Sequence, residues 1–424
     1  MGTSKFVEEI NRRFFNNELS DKFQAELNKI PIDRPDVFAM VERMFGYIKA
    51  SGIPAQDMSL LLGELLGSLL ARILPEAWEG RVPPVTVAGR HQAIDRYIKS
   101  NQWIKPAKKK MLDIGCGFPP YTTIDTAQFF PEWHITGADP SLPQYLVYDE
   151  VGNYATFDKN KSTVYFQPVA PTIENWNVLL EDAAATKNGF EKLLNELINA
   201  QSESENGLPR LEHNPIQAYE TDNLTFVHGG IGQIDIEAKD VIRCFNVLFY
   251  FDDIFYENAL TWFCDQLQED GLLFIGGNWA VSSESYYNVY QKKDGQLINR
   301  AFVFGLDCIC PFGIASWYAN HDDDRQTAEL VKYVKVIRQD NDFLNRFYKI
   351  HDAQRLKYGL CPRDDQGYYG ALDSSITPEE LWPLVGKMLE ELNEAGMNQE
   401  AANVLQQNGF NARINGVGHI EINF

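Results

Sequence analysis

The stretch "MLDIGCGFPPYTTIDTA" at residues 111–127 constrains the fold more than any other part of this sequence. A short apolar run is followed by Gly115 and Gly117 and then by residues that can form a helix. A strand, a tight glycine turn and a helix open many nucleotide-binding parallel sheets, because the turn lets the backbone approach a ligand closely. The sequence therefore predicts an α/β fold with a ligand site after this first strand.

Strands and helices alternate along the chain from residue 110 onward. Helices are predicted at 122–130, 253–268 and 379–406. The alternation is typical of a doubly wound, mostly parallel, Rossmann-like sheet, and we expect seven strands. The predicted strands are 111–115, 134–139, 224–228, 240–245, 272–277 and an antiparallel closing pair at 411–414 and 418–423.

Composition shifts divide the chain into four regions. Helix-period patterns fill the first hundred residues, and "GRVPPV" at 80–85 is a plausible boundary. Insertions at the carboxyl ends of strands lie over the ligand crevice of such sheets, so the long region after the fifth strand is predicted to be a substrate cap. The predicted regions are a helical N-terminal domain (1–105), a cofactor-binding core (106–280) with a helical insertion (141–222), a cap (281–380), and a closing helix and strands (381–424).

Charge and hydropathy exclude several kinds of partner. Lys and Arg number 38 against 59 Asp and Glu, a formal net charge of −21 that repels nucleic acid. No apolar run approaches the length of about 18 residues that a membrane helix needs, and the first residues lack a signal-peptide pattern. The six scattered cysteines do not complete a zinc site. We expect a cytoplasmic protein, and the apolar run at 59–74 is either buried or a homodimer contact.

The glycine turn departs from the dinucleotide fingerprint at its last position. In Gly-x-Gly-x-x-Gly the third glycine brings the helix N-terminus to the pyrophosphate, but here that residue is Pro120. No Gly-Lys-Ser/Thr follows either, so NAD, FAD and ATP are all disfavoured. S-adenosylmethionine carries adenosine without phosphate and needs only a tight turn and a carboxylate for its ribose hydroxyls. Asp139, about 20 residues after Gly117, is the predicted carboxylate.

Beyond these features, the chain resembles class I S-adenosylmethionine-dependent methyltransferases across about 110–280 and 390–424. Three segments are similar to the chemotaxis receptor methyltransferases, which esterify glutamate side chains: "FPPYTTIDTA", "NVLFYFDD" with the later "QLQEDGLLFIGG", and "TVAGR" at 86–90. The chain departs from that family at Phe118 and Pro119, where the family has glutamates, and at Phe245, where it has arginine. It departs again at Ala88-Gly89, where the family has Phe-Phe. The resemblance implies the fold and the cofactor, but not the substrate.

The resemblance also implies which residues bind the cofactor. The turn is expected beneath the methionine end, Asp139 at the ribose, and the end of the third strand at the adenine. For Tyr121 a role in capping the helix is an equal alternative, and for Arg90 the alternative is an exposed helix arginine. The predicted cofactor-binding residues are Arg90, Asp113, Gly115, Cys116, Gly117, Tyr121, Asp139, Pro140, Gly230, Ile231, Asn246 and Val247.

The acceptor pocket is predicted from residues that follow the fourth and fifth strands. Methyl transfer chiefly requires alignment of nucleophile and methyl group and exclusion of water, so a His–Asp dyad is not essential. The aromatic segment at 280–320 is expected to cover an apolar or cationic small molecule, and a second hydrophobic core is the alternative. We predict no metal site, since the acids after His321 are typical of a solvated loop. The predicted catalytic residues are Tyr250 and Asn278, and the predicted substrate contacts are Trp279, Tyr286, Trp317 and His321.

These expectations lead to one main functional hypothesis and two alternatives. The main one is an S-adenosylmethionine-dependent methyltransferase acting on an O or N atom of a small-molecule acceptor. The first alternative is a protein-glutamate O-methyltransferase of the chemotaxis receptor type. The second is a non-catalytic interaction module that keeps a methyltransferase fold, and failure to bind the cofactor would favour it.

Overall fold

The computed structural model describes residues 35–54, 57, 86–104, 109–170, 173–200, 207–278, 285–309, 325–360, 363 and 378–424. The chain forms two compact units. The first comprises Met1–Gly67, Gly89–Ala107 and Ala238–Phe424, and the second comprises Ser68–Ala88 and Lys108–Glu237. The division between them falls inside the predicted cofactor-binding core. No helix in the described part of the chain combines the length and apolar character needed to cross a bilayer.

The second unit contains the predicted first strand, glycine turn and helix. Strand β1 pairs in parallel with β2, and β2 pairs in parallel with β7. All of β1 after its first residue is buried, and so is all of β2 after its first residue, as expected for strands covered on both faces. The predictions for these three strands are confirmed to within one residue. The bounds are β1 (Lys110–Ile114), α3 (Tyr121–Phe129), β2 (His134–Asp139) and β7 (Leu224–His228).

The region between β2 and β7, predicted as a helical insertion at 141–222, contains helices and also strands that were not predicted. It contains a four-stranded antiparallel sheet, in the order β5-β4-β3-β6, together with two helices. Asp149 and Asp158 accept hydrogen bonds from backbone N–H groups two and four residues onward, which forms the tight turns of two hairpins. The strands are too short for their alternation to be recognised in the sequence. The bounds are β3 (Tyr145–Tyr148), β4 (Tyr154–Phe157), β5 (Thr163–Gln167), α4 (Ile173–Leu180), α5 (Ala183–Ala200) and β6 (Arg210–His213).

The described residues of the first unit form six strands in the order β12-β13-β11-β10-β9-β8. Strand β9 is parallel to β8, and the remaining pairs are antiparallel. The strands are β8 (Lys239–Phe245), β9 (Leu267–Asn278), β10 (Ser285–Lys293), β11 (Gln296–Phe304), β12 (Ala412–Ile414) and β13 (Ile420–Asn423). The helices are α1 (Pro35–Ala50), α2 (Gln92–Ser100), α6 (Asp253–Gln266), α7 (Arg325–Arg338), α8 (Asn341–Lys357), α9 (Pro378–Glu394) and α10 (Met397–Gln407).

Strands β10 and β11 form a hairpin that the sequence did not predict. These strands lie within the predicted cap, and neither was among the seven predicted strands. Asp294 and Gly295 join them in a two-residue turn, both with positive φ, which is a hairpin signal that the sequence does contain. Four of the described aromatic side chains of this segment are core residues, as in the alternative of a second hydrophobic core. Those fully buried are Tyr286, Tyr287, Phe302 and Phe304.

The predicted helix at 379–406 is two helices, α9 and α10. Gly396 separates them with a φ of +81°, a left-handed conformation that ends a helix at low cost only for glycine. The prediction missed this break because hydrophobic residues keep helical spacing on both sides of it.

His419 leads to a prediction about stability and pH. Its side chain is buried beside Tyr287, and burial, assisted by the Arg96 cation, lowers the pKa of His419 to about 4. An unfolded chain has a histidine pKa of about 6.5, so below that pH the unfolded state binds a proton that the folded state does not. We expect His419 to remove about 3 kcal/mol from the free energy of unfolding as the pH falls from about 6.5 to about 4.

Urea denaturation at about pH 7 and about pH 4.5 measures this effect. The variant His419→Gln, which carries no titrating group, should lose less stability between the two pH values than the unmodified protein. Equal losses in the two proteins would contradict the assignment.

Candidate functional site

The glycine turn after β1 has the backbone conformation that its sequence requires. Gly115 and Gly117 have φ values of +81° and +63°, in the left-handed region that favours glycine. The Gly115 N–H donates to the carbonyl oxygen of Ala138 at 2.8 Å, so the turn is fastened to the end of β2. The backbone of the turn therefore lies where β1 and β2 end.

Asp139 holds this turn from the end of β2. Its Oδ2 accepts a hydrogen bond from the Gly117 N–H at 3.1 Å, and its Oδ1 accepts one from the Ser141 N–H at 2.7 Å. Burial raises the pKa of Asp139, while these two N–H groups act in the opposite direction. Each carboxylate oxygen has two lone pairs, so Asp139 can still accept hydroxyl hydrogens from a ligand.

Helix α3 follows the turn and brings further polar groups to it. Asp113, at the end of β1, is buried, and its Oδ2 accepts a hydrogen bond from Thr123 Oγ1 at 2.6 Å. The neighbouring Thr122 Oγ1 is buried and has no hydrogen-bond partner among the described residues. The residue before the helix is Pro120, which gives no side-chain cap, so the capping role considered for Tyr121 is not observed. The Tyr121 side chain is exposed.

Cys116 is a packed core residue of the turn. Its side chain is buried in a cluster with Phe118, Leu142, Leu146 and Ile216. Burial raises the pKa of the Cys116 thiol, and the nearby Asp139 and Asp113 raise it further. The thiol therefore stays neutral, and this residue contributes backbone and volume to the site.

The predicted adenine-side residues adjoin at the ends of β2 and β7. A Cβ atom added to Gly230 would lie 3.5 Å from Cδ of Pro140, an ordinary van der Waals distance, so the two residues are neighbours. The Gly230 N–H donates to Oε1 of Gln233 at 3.0 Å, and Ile231 is half-buried. The structure thus brings Pro140 and Gly230 together beside Asp139.

The sequence analysis did not identify a set of tyrosines around the turn, which lie in the region predicted as a helical insertion. Tyr148, Tyr154 and Tyr219 are half-buried and pack against the cluster that contains Cys116 and Phe118. We call these three residues the tyrosine surface. Below them the buried Tyr165 donates from Oη to the carbonyl oxygen of Phe118 at 3.0 Å.

In the first unit, three predicted site residues form one hydrogen-bonded group. The backbone N–H of Asn278 donates to Oδ1 of Asn246 at 2.9 Å, and Nδ2 of Asn246 donates to the carbonyl oxygen of Asn278, also at 2.9 Å. Nδ2 of Asn278 donates to the carbonyl oxygen of Arg90 at 2.7 Å. The two asparagines thus tie the ends of β8 and β9 to the residues before α2. Val247 and Tyr250 follow Asn246, the latter in a short 3₁₀ turn against Phe249. The cofactor and catalytic roles of these five residues stay predictions.

The same part of the first unit contains three polar groups that sequence reasoning missed. Arg243, in the middle of β8, and Asp95, on α2, form a fully buried ion pair with an N–O distance of 2.7 Å. His91 is buried next to them. Burial and the Arg243 and Arg90 cations lower the pKa of His91, so it is neutral at physiological pH. A charged residue such as Arg243 within an apolar strand indicates a buried acidic partner, and this was the signal that the sequence contained.

The remaining predicted site residues fall into two groups. Trp279, Trp317 and His321 lie outside the described residues, as does the apolar run at 59–74. Tyr286 lies in the core with its Oη 3.5 Å from Thr327 Oγ1, rather than on a surface that faces an acceptor. Within the described ranges, no group of three or more His, Cys, Asp or Glu side chains is arranged to hold a metal ion.

Comparison with known proteins finds methyltransferases. The sequence matches no protein-family profile. It is 36% identical over 75 residues to chemotaxis protein methyltransferase 2 of Vibrio cholerae, a match that covers 15% of this chain and 26% of that protein. This chain therefore spans about a quarter of the length of the curated relative that it matches.

The solved structures to which the chain is similar include an O-methyltransferase family 2 protein of Planctomyces limnophilus in complex with apigenin. That match has 15% identity and a TM-score of 0.22, and covers 44% of this chain and 37% of the other. Another is the N-methyltransferase NodS of Bradyrhizobium japonicum in complex with S-adenosyl-L-homocysteine. Here identity is 13% and the TM-score is 0.21, with 44% of this chain and 59% of the other covered.

Proposed function

We propose that this chain is an S-adenosylmethionine-dependent methyltransferase that acts on an O or N atom of a small-molecule acceptor. One observation carries the proposal: the Asp139 carboxylate closes the glycine turn after β1. This arrangement joins a tight turn, for close backbone approach, to a carboxylate that can accept ribose hydroxyls.

The hydrogen bonds of the turn favour a nucleoside without phosphate. A phosphate at a helix N-terminus is bound by backbone N–H groups of the preceding turn. Here the Gly117 N–H already donates to Asp139, and a second carboxylate, Asp113, lies at the end of β1. Two carboxylates would repel a pyrophosphate, whereas they attract the ammonium and sulfonium groups of S-adenosylmethionine.

The residues around the turn fit this cofactor. Asp139 would accept the ribose hydroxyls, and the neighbouring Pro140 and Gly230 would leave an apolar edge for the adenine. The buried Thr122 hydroxyl, which lacks a described partner, can donate to the cofactor carboxylate. When bound, the cofactor supplies a methyl carbon activated by a sulfonium. The protein aligns the acceptor with that carbon and excludes water.

Calorimetric titration of the full chain tests the proposal. We expect S-adenosylmethionine and S-adenosylhomocysteine to bind with dissociation constants of about 1 to 100 μM, and NADH not to bind. A folded protein that binds neither nucleoside would contradict the proposal and would favour the non-catalytic interaction module. Binding of NADH in preference to both nucleosides would contradict the argument from the carboxylates.

A second candidate is a protein-glutamate O-methyltransferase. It is supported by the local sequence similarity to a chemotaxis protein methyltransferase. Carboxyl methyl esters release methanol in alkali, whereas methylated amines and phenol ethers do not. Alkali-labile label on glutamate-containing peptides, with no transfer to small molecules, would favour this candidate.

A further inference from the structure

The tyrosine surface lies directly against the glycine turn. The ring of Tyr219 meets Phe118, a residue of the turn, edge to face at 6.2 Å. Tyr148 and Tyr154 adjoin with ring centroids 5.8 Å apart. All three rings are half-buried, so each is held in place by the core and keeps part of its area exposed, although Arg210 covers one face of Tyr148.

One ring of this surface already holds a cation. The guanidinium carbon of Arg210 lies 4.0 Å from the ring centroid of Tyr148. Arg210 also pairs with Glu212, with Nη2 3.1 Å from Oε1. A positive charge over an aromatic face is attracted by the negative face of the ring, so this contact is an internal example of what the surface can bind.

The groups around the surface also favour a positive ligand. Burial raises the pKa of Tyr148, and Glu212 raises it further. Burial and the neighbouring Tyr121 and Tyr148 raise the pKa of Tyr219. These phenols therefore stay neutral, and their oxygens can accept a hydrogen bond from an ammonium N–H. The formal net charge of −21 attracts cations and repels carboxylates at long range.

We propose that the tyrosine surface recognises the methyl acceptor, and that this acceptor is a small amine that arrives as a cation. The inference rests on the proposed function, and it narrows the acceptor from O or N to N. Before transfer the ammonium releases one proton to solvent. The nitrogen lone pair then forms the bond to the methyl carbon while the carbon–sulfur bond breaks, and its electron pair stays on sulfur.

Binding of a stable cation by the full chain tests the surface without the cofactor. The probes are choline and its uncharged isostere 3,3-dimethyl-1-butanol, measured by ligand-observed NMR titration. We expect choline to bind more tightly than the alcohol, and Tyr148→Leu and Tyr219→Leu each to weaken choline binding by about tenfold. Leucine keeps the apolar volume and removes the aromatic face, so these variants should fold.

Tyr145→Leu is the matched control. Tyr145 lies on the same strand as Tyr148 but at the opposite parity, and its ring meets His213 at 5.4 Å. This variant should bind choline as the unmodified protein does. Equal binding of choline and the alcohol, or equal losses in Tyr145→Leu and Tyr148→Leu, would overturn the proposal.

A transfer assay with radiolabelled S-adenosylmethionine separates this inference from the proposed function. Labelling of amines, with a KM for the amine about tenfold higher in Tyr219→Leu and an unchanged KM for the cofactor, supports both. Labelling of phenols or carboxylic acids but not amines overturns the inference and leaves the methyltransferase intact. If neither nucleoside binds but choline still binds selectively, the proposed function fails while cation recognition by the surface stands.

Discussion

Replacing Asp139 with alanine should weaken binding of S-adenosylhomocysteine by at least about 100-fold. The carboxylate is expected to accept two ribose hydroxyls, and each hydrogen bond to a charged group contributes about 1.5 to 3 kcal/mol. The same substitution also removes the acceptor for the Gly117 and Ser141 N–H groups, so the turn loses its fixed geometry. Calorimetric titration of the variant beside the unmodified protein measures the loss.

Asp149→Ala is a matched control for this experiment. Asp149 belongs to the same unit, and its Oδ1 also accepts two backbone N–H hydrogen bonds, from Val151 and Asn153. Its removal should lower stability to a similar degree and leave the dissociation constant within about twofold, because Asp149 has no part in the site. If both variants bind with unchanged affinity, Asp139 is only a structural residue of the turn.

The second large effect is expected at the buried ion pair of the first unit. Asp95→Asn should lower the free energy of unfolding by about 3 to 5 kcal/mol, because it leaves the Arg243 guanidinium without its counter-charge in the core. Chemical denaturation measures the change. A further Arg243→Met substitution should restore part of the stability, since an apolar side chain replaces the uncompensated cation.

The exposed ion pair of Lys293 with Asp270 is the control for the effect of burial on the strength of an ion pair. Its N–O distance, 2.7 Å, equals that of the buried pair, but its side chains are 45% and 36% exposed. Asp270→Asn should therefore change the free energy of unfolding much less than Asp95→Asn does, because solvent screens the exposed pair. Losses of the same size in Asp95→Asn and Asp270→Asn would show that burial does not strengthen the Arg243–Asp95 pair.

The sequence predicted the strands that are mostly apolar and lie between recognisable turns. β1, β2 and β7 are of this kind, and the structure places them within one residue of the prediction. The sequence did not predict β3 to β6. These strands have four or five residues each, and hairpin turns begin at Asp149 and Asp158. Short strands of this kind depend on pairing with neighbours, which a hydropathy pattern does not record.

The candidate site was predictable to the extent that it is local. Gly115, Gly117 and Asp139 were selected from spacing alone, and the structure places them in one turn, while their role in cofactor binding stays a prediction. The tyrosine surface was not predictable, because it depends on the unrecognised sheet of β3 to β6. The contact of Arg243 with Asp95 joins residues that are 148 positions apart, and no local pattern contains such a pair.

The way the two units share the chain has a consequence for the order in which they can form during synthesis. Most of the second unit is one continuous segment, Lys108–Glu237, so its strands emerge from the ribosome together and can pair at once. The first unit must wait, because Tyr97 donates to Glu421, a residue 324 positions later. While most of the chain is being synthesised, some of the residues that will cover α2 and β8 have not yet been made. Part of the apolar surface of these two elements is therefore exposed during that time. Chaperones that shield apolar surface on nascent chains would act chiefly on this unit.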